Sequence, residues 1–190
     1  MTIRNRSRDH ASAAVACAAA ISALASTAWA DDAPYLQLEG GASFLSQWAS
    51  AELAPSNASY GVGAGYHWDT VELGLGVEHN YWLDGVSIDP GFPDSVLNIA
   101  AEGALLSFRQ RVRHAVALGT STMLFDTALE DRGHTGLYLE AKPVGLRIPL
   151  AQGWRIEVEP LNVALMAPVL DGIPLFQLAY RTTVGVGWEL

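Results

Sequence analysis

Residues 175–190 read LFQLAYRTTVGVGWEL, and their alternation decides the fold. Phe176, Leu178, Tyr180, Thr182, Val184, Val186, Trp188 and Leu190 fall on one face at period two. Gln177, Ala179, Arg181, Thr183, Gly185, Gly187 and Glu189 fall on the other. A helix would scatter both sets around its axis, whereas an extended strand keeps them apart. Working back along the chain, the same period marks 36–44, 60–68, 71–77, 96–108, 114–125, 135–150 and 154–167, eight strands in all. The links between them differ in length. Those over 45–57, 83–95 and 126–134 are long, 69–70 and 151–153 are minimal, 109–113 is short, and 168–174 is intermediate.

Two hairpins can be tested for register. A two-residue turn at Asp69-Thr70 sets Tyr66 opposite Leu73 and Val62 opposite Val77 on the apolar face. On the other face it sets His67 opposite Glu72, and Gly65 and Gly63 opposite Gly74 and Gly76. Every step agrees, so the register is self-consistent. A three-residue turn ending at Gly153 pairs Ile148 with Ile156 and Arg147 with Glu157, an opposite-charge cross-strand pair. Farther along, the apolar parity flips at Pro143 and again at Pro160. Proline donates nothing to a ladder, so paired bulges are expected there.

Composition narrows the class. The chain has 190 residues, 50% hydrophobic and 16% charged, with 18 glycines. That is little charge for a cytosolic domain, yet no stretch after residue 30 approaches the ~20 apolar residues of a spanning helix. Residues 1–30 have the layout of a cleavable signal peptide: Arg4, Arg6 and Arg8, an Ala-rich apolar run, then Ala28-Trp29-Ala30. Residues 31–190 keep eight basic and nineteen acidic side chains, a formal charge of −11, and no cysteine. Nucleic acid is excluded as a partner, because its binding needs a basic footprint. Disulfides and thiolate metal sites are excluded as well.

The polar face identifies the environment of each side. It is small or charged: seven glycines on strands two, three and eight, with Glu39, His67, Glu72, Glu78, Glu102, Arg147, Glu157 and Arg181. A solvated sheet surface would carry lysines, and Lys142 is the single lysine of the chain. Small residues with a few opposite charges suit a narrow barrel interior. The apolar face carries Trp68, Trp154 and Trp188 near the turns, and Phe44, Tyr60, Tyr81, Phe125 and Phe176 near the long links. Two aromatic girdles of this kind mark membrane interfaces. The fold expected is all-β, an eight-stranded antiparallel up-and-down transmembrane β-barrel over residues 31–190.

The last eight residues resemble a known signal. Thr183, Gly185, Trp188 and Leu190 look like the C-terminal pattern by which bacterial outer-membrane barrels are recognised by the barrel assembly machinery. Leu190 departs from the aromatic residue usual at that end. The architecture is similar to that of the small OmpA/OmpX-type barrels. The resemblance implies residence in the outer membrane of a Gram-negative cell, with outer-membrane lipid and the assembly machinery as partners and both mature termini in the periplasm.

Chemistry is sparse. His67 beside Glu72 reads as structural, since no nucleophile accompanies it. Arg109, Arg111, Arg113 and His114 form a basic cluster at the 109–113 turn, able to meet anionic headgroups or water alike. Asp84, Asp89, Asp94, Asp126, Glu130 and Asp131 match no defined calcium loop. The resemblance would imply a lipid A deacylase if a His-x-Ser pair sat on a strand, and residues 31–190 contain none. Gly-x-Ser-x-Gly and His-Glu-x-x-His are absent too. No enzymatic role and no cofactor are expected. The expected role is structural or surface-exposed, with a filled or narrow lumen that could pass small solutes. The rival classes are a soluble periplasmic binding protein of lipocalin type and a lipid-modifying enzyme.

Overall fold

In the computed structural model, residues 32–47, 53–82, 95–124 and 133–190 are described. The predicted leader over 1–30, Phe125 and the acidic loop residues lie outside them, as does the side chain of Phe44. The described chain is almost wholly extended. Its strands are β1 (Asp32–Gln47), β2 (Leu53–Trp68), β3 (Val71–Trp82), β4 (Ser95–Ser107), β5 (Val112–Leu124), β6 (Gly133–Pro149), β7 (Trp154–Leu170), the two-residue β8 (Ile173–Pro174) and β9 (Gln177–Glu189). No helix among the described residues is long and apolar enough to cross a membrane.

Each long strand pairs antiparallel with the next, and β9 pairs with both β7 and β1. The last pairing closes the sheet. Eight long strands thus form a barrel with no free edge among the described residues, and β8 only extends the β7 arm. Closure brings the two ends of the described chain together: Tyr35 faces Glu189, and Leu190 N donates to Pro34 O at 2.9 Å. They share the end of the barrel that carries the short turns.

Those turns follow from local chemistry. Asp69 takes a positive φ of 43°, which a two-residue hairpin turn demands at its first central position. Gly153 sits at φ +76°, and an added Cβ there would lie 2.8 Å from Glu189 O, so only glycine fits. At the third turn Phe108, Arg109 and Gln110 all have positive φ, which ends β4 at Ser107. The expected strand over 96–108 is therefore one residue too long. The expected link over 45–57 is also too long. After a bulge beyond Ser43 the ladder continues through Leu45–Ala54 and Ser46–Leu53. Apolar alternation stops there, but backbone pairing does not depend on it.

The β2–β3 register is Trp68–Val71 through Asn57–Trp82 without a slip. The β6–β7 ladder shifts between Ala141, Val144 and Leu146, and β7–β9 shifts between Glu159 and Asn162. Both shifts sit at the prolines, Pro143 and Pro160, and both strands run on through them. The bulges restore one outward apolar face: Leu137 and Leu139 before the slip and Val144 and Leu146 after it are all exposed.

The leucine and valine face points outward all round the wall. Leu75 is 69% exposed and Leu38 66%, and Leu73, Val184 and Val186 are exposed as well. A lipocalin would hide these side chains. The buried set is instead mostly polar: Arg113, Arg147, Arg155, His67, Glu72, Asn98 and Asn162 are among the largest fully buried side chains, beside a small apolar cluster that includes Val96, Tyr138 and Met166.

Candidate functional site

The lumen is the one place in the described residues where charged side chains converge. At the turn end, Glu72 on β3 accepts from Arg113 Nε on β5 at 3.0 Å and from Arg147 Nη2 on β6, with Arg155 Nη2 on β7 at 3.5 Å. Glu157 sits between Arg147 and Arg155, 2.9 Å from the Nε of each. Arg113 reaches Glu102 and Glu159 with its other nitrogens, the latter at 2.8 Å. Arg155 also binds Glu189 Oε1 at 3.0 Å, and its guanidinium carbon lies 4.4 Å from the centre of the Tyr35 ring.

Lys142 forms the middle tier. Its ammonium lies 2.9 Å from Glu102, 3.3 Å from Glu159, 3.6 Å from Glu39 and 3.9 Å from Glu140. Toward the loop end, Arg181 on β9 holds Glu78, Glu140 at 3.2 Å, Tyr138 Oη at 3.1 Å and Ser59 Oγ at 3.1 Å. Asn98 Nδ2 donates to Glu78 at 3.1 Å. Burying this many charges costs several kcal/mol per ion unless each is paired, and here every one has an opposite charge within 4 Å, drawn from seven different strands.

Glycines make the room. Added Cβ atoms at Gly65 and Gly74 would each lie 2.6 Å from Tyr35 Oη, and one at Gly187 would lie 2.7 Å from Arg155 Nε. One at Gly61 would meet Glu39 Oε1 at 3.1 Å. The glycine face of the sequence is thus a set of sockets for large side chains carried by other strands.

Of the lumen residues named from sequence, Glu72, Glu78, Arg147, Glu157, Arg181 and His67 are buried inside, and Glu39 and Glu102 are partly buried there. His67 does not form a side-chain pair with Glu72. Its Nε2 donates to Asp69 O at 2.7 Å, and its Nδ1 lies 3.9 Å from Glu189. The basic cluster at the third turn also needs correction. Arg113 leaves it, because β5 starts at Val112 and the parity of Arg113 matches that of inward Ala115 and Ala117. Arg109, Arg111 and His114 remain exposed. Sequence reasoning did not count Arg113, Lys142, Arg155, Glu140, Glu159 and Glu189 in the network. Period-two parity would have reached each of them once the strand starts were known.

Thr183 and Gly185 are buried on the inner face of β9, with Thr183 Oγ1 donating to Glu159 at 2.7 Å. Trp188 and Leu190 point outward. Trp154 and Trp188 stack at 5.8 Å on the turn end, with Trp68 exposed at the same level. Tyr60 and Tyr81 lie 6.2 Å apart toward the loop end, with His79 5.2 Å from Tyr60 and Phe176 exposed.

No protein-family model matches this chain, and no curated protein sequence matches it. Solved structures do. Neisserial surface protein A (NspA) superposes with a TM-score of 0.64 at 12% identity, over 83% of this chain and 97% of that one. Ail, the attachment invasion locus protein of Yersinia pestis, gives 0.55 at 12% identity, over 85% of this chain and 100% of that one. Ail in complex with the heparin analogue sucrose octasulfate gives 0.53 at 11% identity over the same shares. The chain therefore has the fold of the small eight-stranded outer-membrane β-barrels.

Proposed function

We propose that this chain is an integral outer-membrane β-barrel of a Gram-negative bacterium, with a structural or surface-exposed role and no enzymatic activity. The observation that carries the reading is the inversion of the molecule: leucine and valine cover the outside while arginine and glutamate fill the inside. In water such a wall would expose a continuous apolar belt and aggregate. In lipid it is the surface that the solvent demands. The soluble lipocalin-like reading needs the opposite inversion. The turn end, with Arg109, Arg111 and both termini, would face the periplasm, and residues 1–30 would have been removed on export. Trp68, Trp154 and Trp188 would sit at one membrane interface, and Tyr60, Tyr81 and Phe176 at the other.

The similar structures include a surface protein and an attachment protein, which supports a surface-exposed role here. The sulfated ligand of the Ail complex is not carried over, because residues 31–190, with a formal charge of −11, offer polyanions little footing. Full-length expression in a Gram-negative host followed by fractionation tests the reading. Recovery in the outer-membrane pellet, released only by detergent and migrating differently when boiled, is expected. Recovery in the soluble periplasmic pool overturns it. Replacing both Trp188 and Leu190 with aspartate should leave the chain unassembled, which tests the C-terminal signal separately from the location.

A further inference from the structure

The ion pairs of the lumen join eight carboxylates to five permanent cations, Arg113, Lys142, Arg147, Arg155 and Arg181. The deficit of positive charge is not spread evenly. Three guanidinium groups crowd the turn end. In the middle, Lys142 faces four carboxylates, and among the described residues it is the one cation within 4 Å of Glu39.

A cavity of about 60 Å³ lies at this level, bordered by Glu39, Glu78, Asn98, Glu102, Glu140 and Lys142. Its cause is in the sequence. Gly63 and Gly76 face each other across β2 and β3. An added Cβ at either would meet nothing nearer than 3.5 Å and 3.9 Å, whereas the neighbouring Gly65 and Gly74 are filled by the Tyr35 ring. Here the glycine wall has sockets with no side chain in them. Such a volume holds several waters, each needing roughly 10–15 Å³ of probe-occupied space.

Asn98 borders the cavity and is fully buried, with Nδ2 committed to Glu78 and Oδ1 without any protein donor. A buried carbonyl oxygen beside excess carboxylate calls for a positive occupant. Water alone would satisfy the oxygen but leave the charge. Among the described residues no three carboxylates or histidines converge closely enough to chelate a metal ion. The described residues thus offer a stripped divalent ion no cage of carboxylates, and a cation that keeps part of its water shell fits the room.

We propose that this cavity binds a partly hydrated monovalent cation, sodium or potassium, with the Glu39 carboxylate and Asn98 Oδ1 as its protein ligands. The inference goes beyond the outer-membrane reading and does not depend on it, since it concerns the lumen of the folded barrel in any apolar host. The test uses the full barrel in zwitterionic detergent at pH 8, unfolded by heat in sodium chloride, potassium chloride or tetraethylammonium chloride at equal ionic strength. Tetraethylammonium is too large for the cavity. The midpoint should rise by about 3 °C or more in sodium or potassium, and the rise should saturate with concentration. Glu39→Gln and Gly76→Val, which remove the charge and fill the space, should each abolish the difference between salts. Equal midpoints in all three salts overturn the proposal in favour of a proton on the carboxylate. A salt difference that survives both variants overturns the site. Crystals grown in rubidium chloride should show an anomalous peak between Glu39 and Asn98, and a rubidium peak found only elsewhere overturns the assignment.

Discussion

The hairpins β2–β3 and β6–β7 stand four strands apart in a ring of eight, on opposite walls of one barrel. The first runs without a slip, and its inner face carries Gly63, Gly65, Gly74 and Gly76 between His67–Glu72 at one end and Glu78 at the other. The second slips at Pro143 and Pro160, and its inner face is crowded with Glu140, Lys142, Arg147, Arg155, Glu157 and Glu159. One wall supplies long charged side chains and the other supplies the space they occupy. The difference teaches that an eight-stranded lumen is packed asymmetrically, by pairing a wall of bulk with a wall of sockets, and that the two proline bulges fall on the bulky side.

Breaking the ion pairs that the bulky wall makes with its neighbours should have the largest effect. Arg113 holds Glu72, Glu102, Glu157 and Glu159 within 4 Å while itself only 2% exposed. Arg113→Met takes a cation from four carboxylates, three of them buried, and removing one partner of a buried pair costs about 3–5 kcal/mol. Urea unfolding of the barrel in lipid vesicles, followed by tryptophan fluorescence, should show that loss. An unchanged midpoint would mean that water or the remaining cations already screen these carboxylates.

How much of this asymmetry was legible in the sequence follows from what parity can and does not encode. Period two assigned inner and outer faces wherever the chain was regular, as on β2, β3 and β9, and the two prolines announced where it was not. Arg113 was missed because a strand start is marked by backbone pairing, while 109–113 reads as a run of turn-like basic residues. Glu140 and Lys142 were missed because they lie just before the Pro143 slip, where one bulge reverses which parity faces inward. The aggregate network also escaped, for a physical reason. Alternation says that a side chain enters the lumen but not which opposite strand it reaches, and that depends on barrel closure. The role of the glycines as sockets needed the same closure, since Tyr35 and Arg155 reach Gly74 and Gly187 from other strands.

The two faces of the socket wall offer the next test. Leu75 points outward between inward-facing Gly74 and Gly76 on one strand. In a bilayer, Leu75→Arg puts a cation near the middle of the apolar belt, at a cost of about 2–4 kcal/mol. The same substitution on a water-exposed wall would be nearly neutral. Vesicle unfolding of this variant thus separates a lipid-facing outside from a solvated one, independently of where the protein is recovered in a cell. A cost below about 0.5 kcal/mol would contradict the membrane reading even with the barrel intact.

The smallest effect sharpens the idea of filled and unfilled sockets. At Gly65 an added Cβ would press against the Leu73 carbonyl and lie 2.6 Å from Tyr35 Oη, so both backbone and ring must shift. Gly65→Ala is then an overpacking change, worth about 1–3 kcal/mol of destabilisation. At Gly76 the nearest atom to an added Cβ is Val62 O at 3.9 Å, an ordinary contact. Gly76→Ala removes no room that a side chain uses, and alanine loses less chain entropy than glycine on folding, a gain of about 0.4–1 kcal/mol. Two glycines on adjacent strands, both reading as the inner face of one hairpin, should therefore respond with opposite signs. Measuring both in tetraethylammonium chloride keeps any cation in the cavity from contributing to the Gly76 result. If both substitutions destabilise alike, the glycines serve the curvature or pairing of the wall, and the space between Gly63 and Gly76 is not a vacancy left by design of the opposite wall.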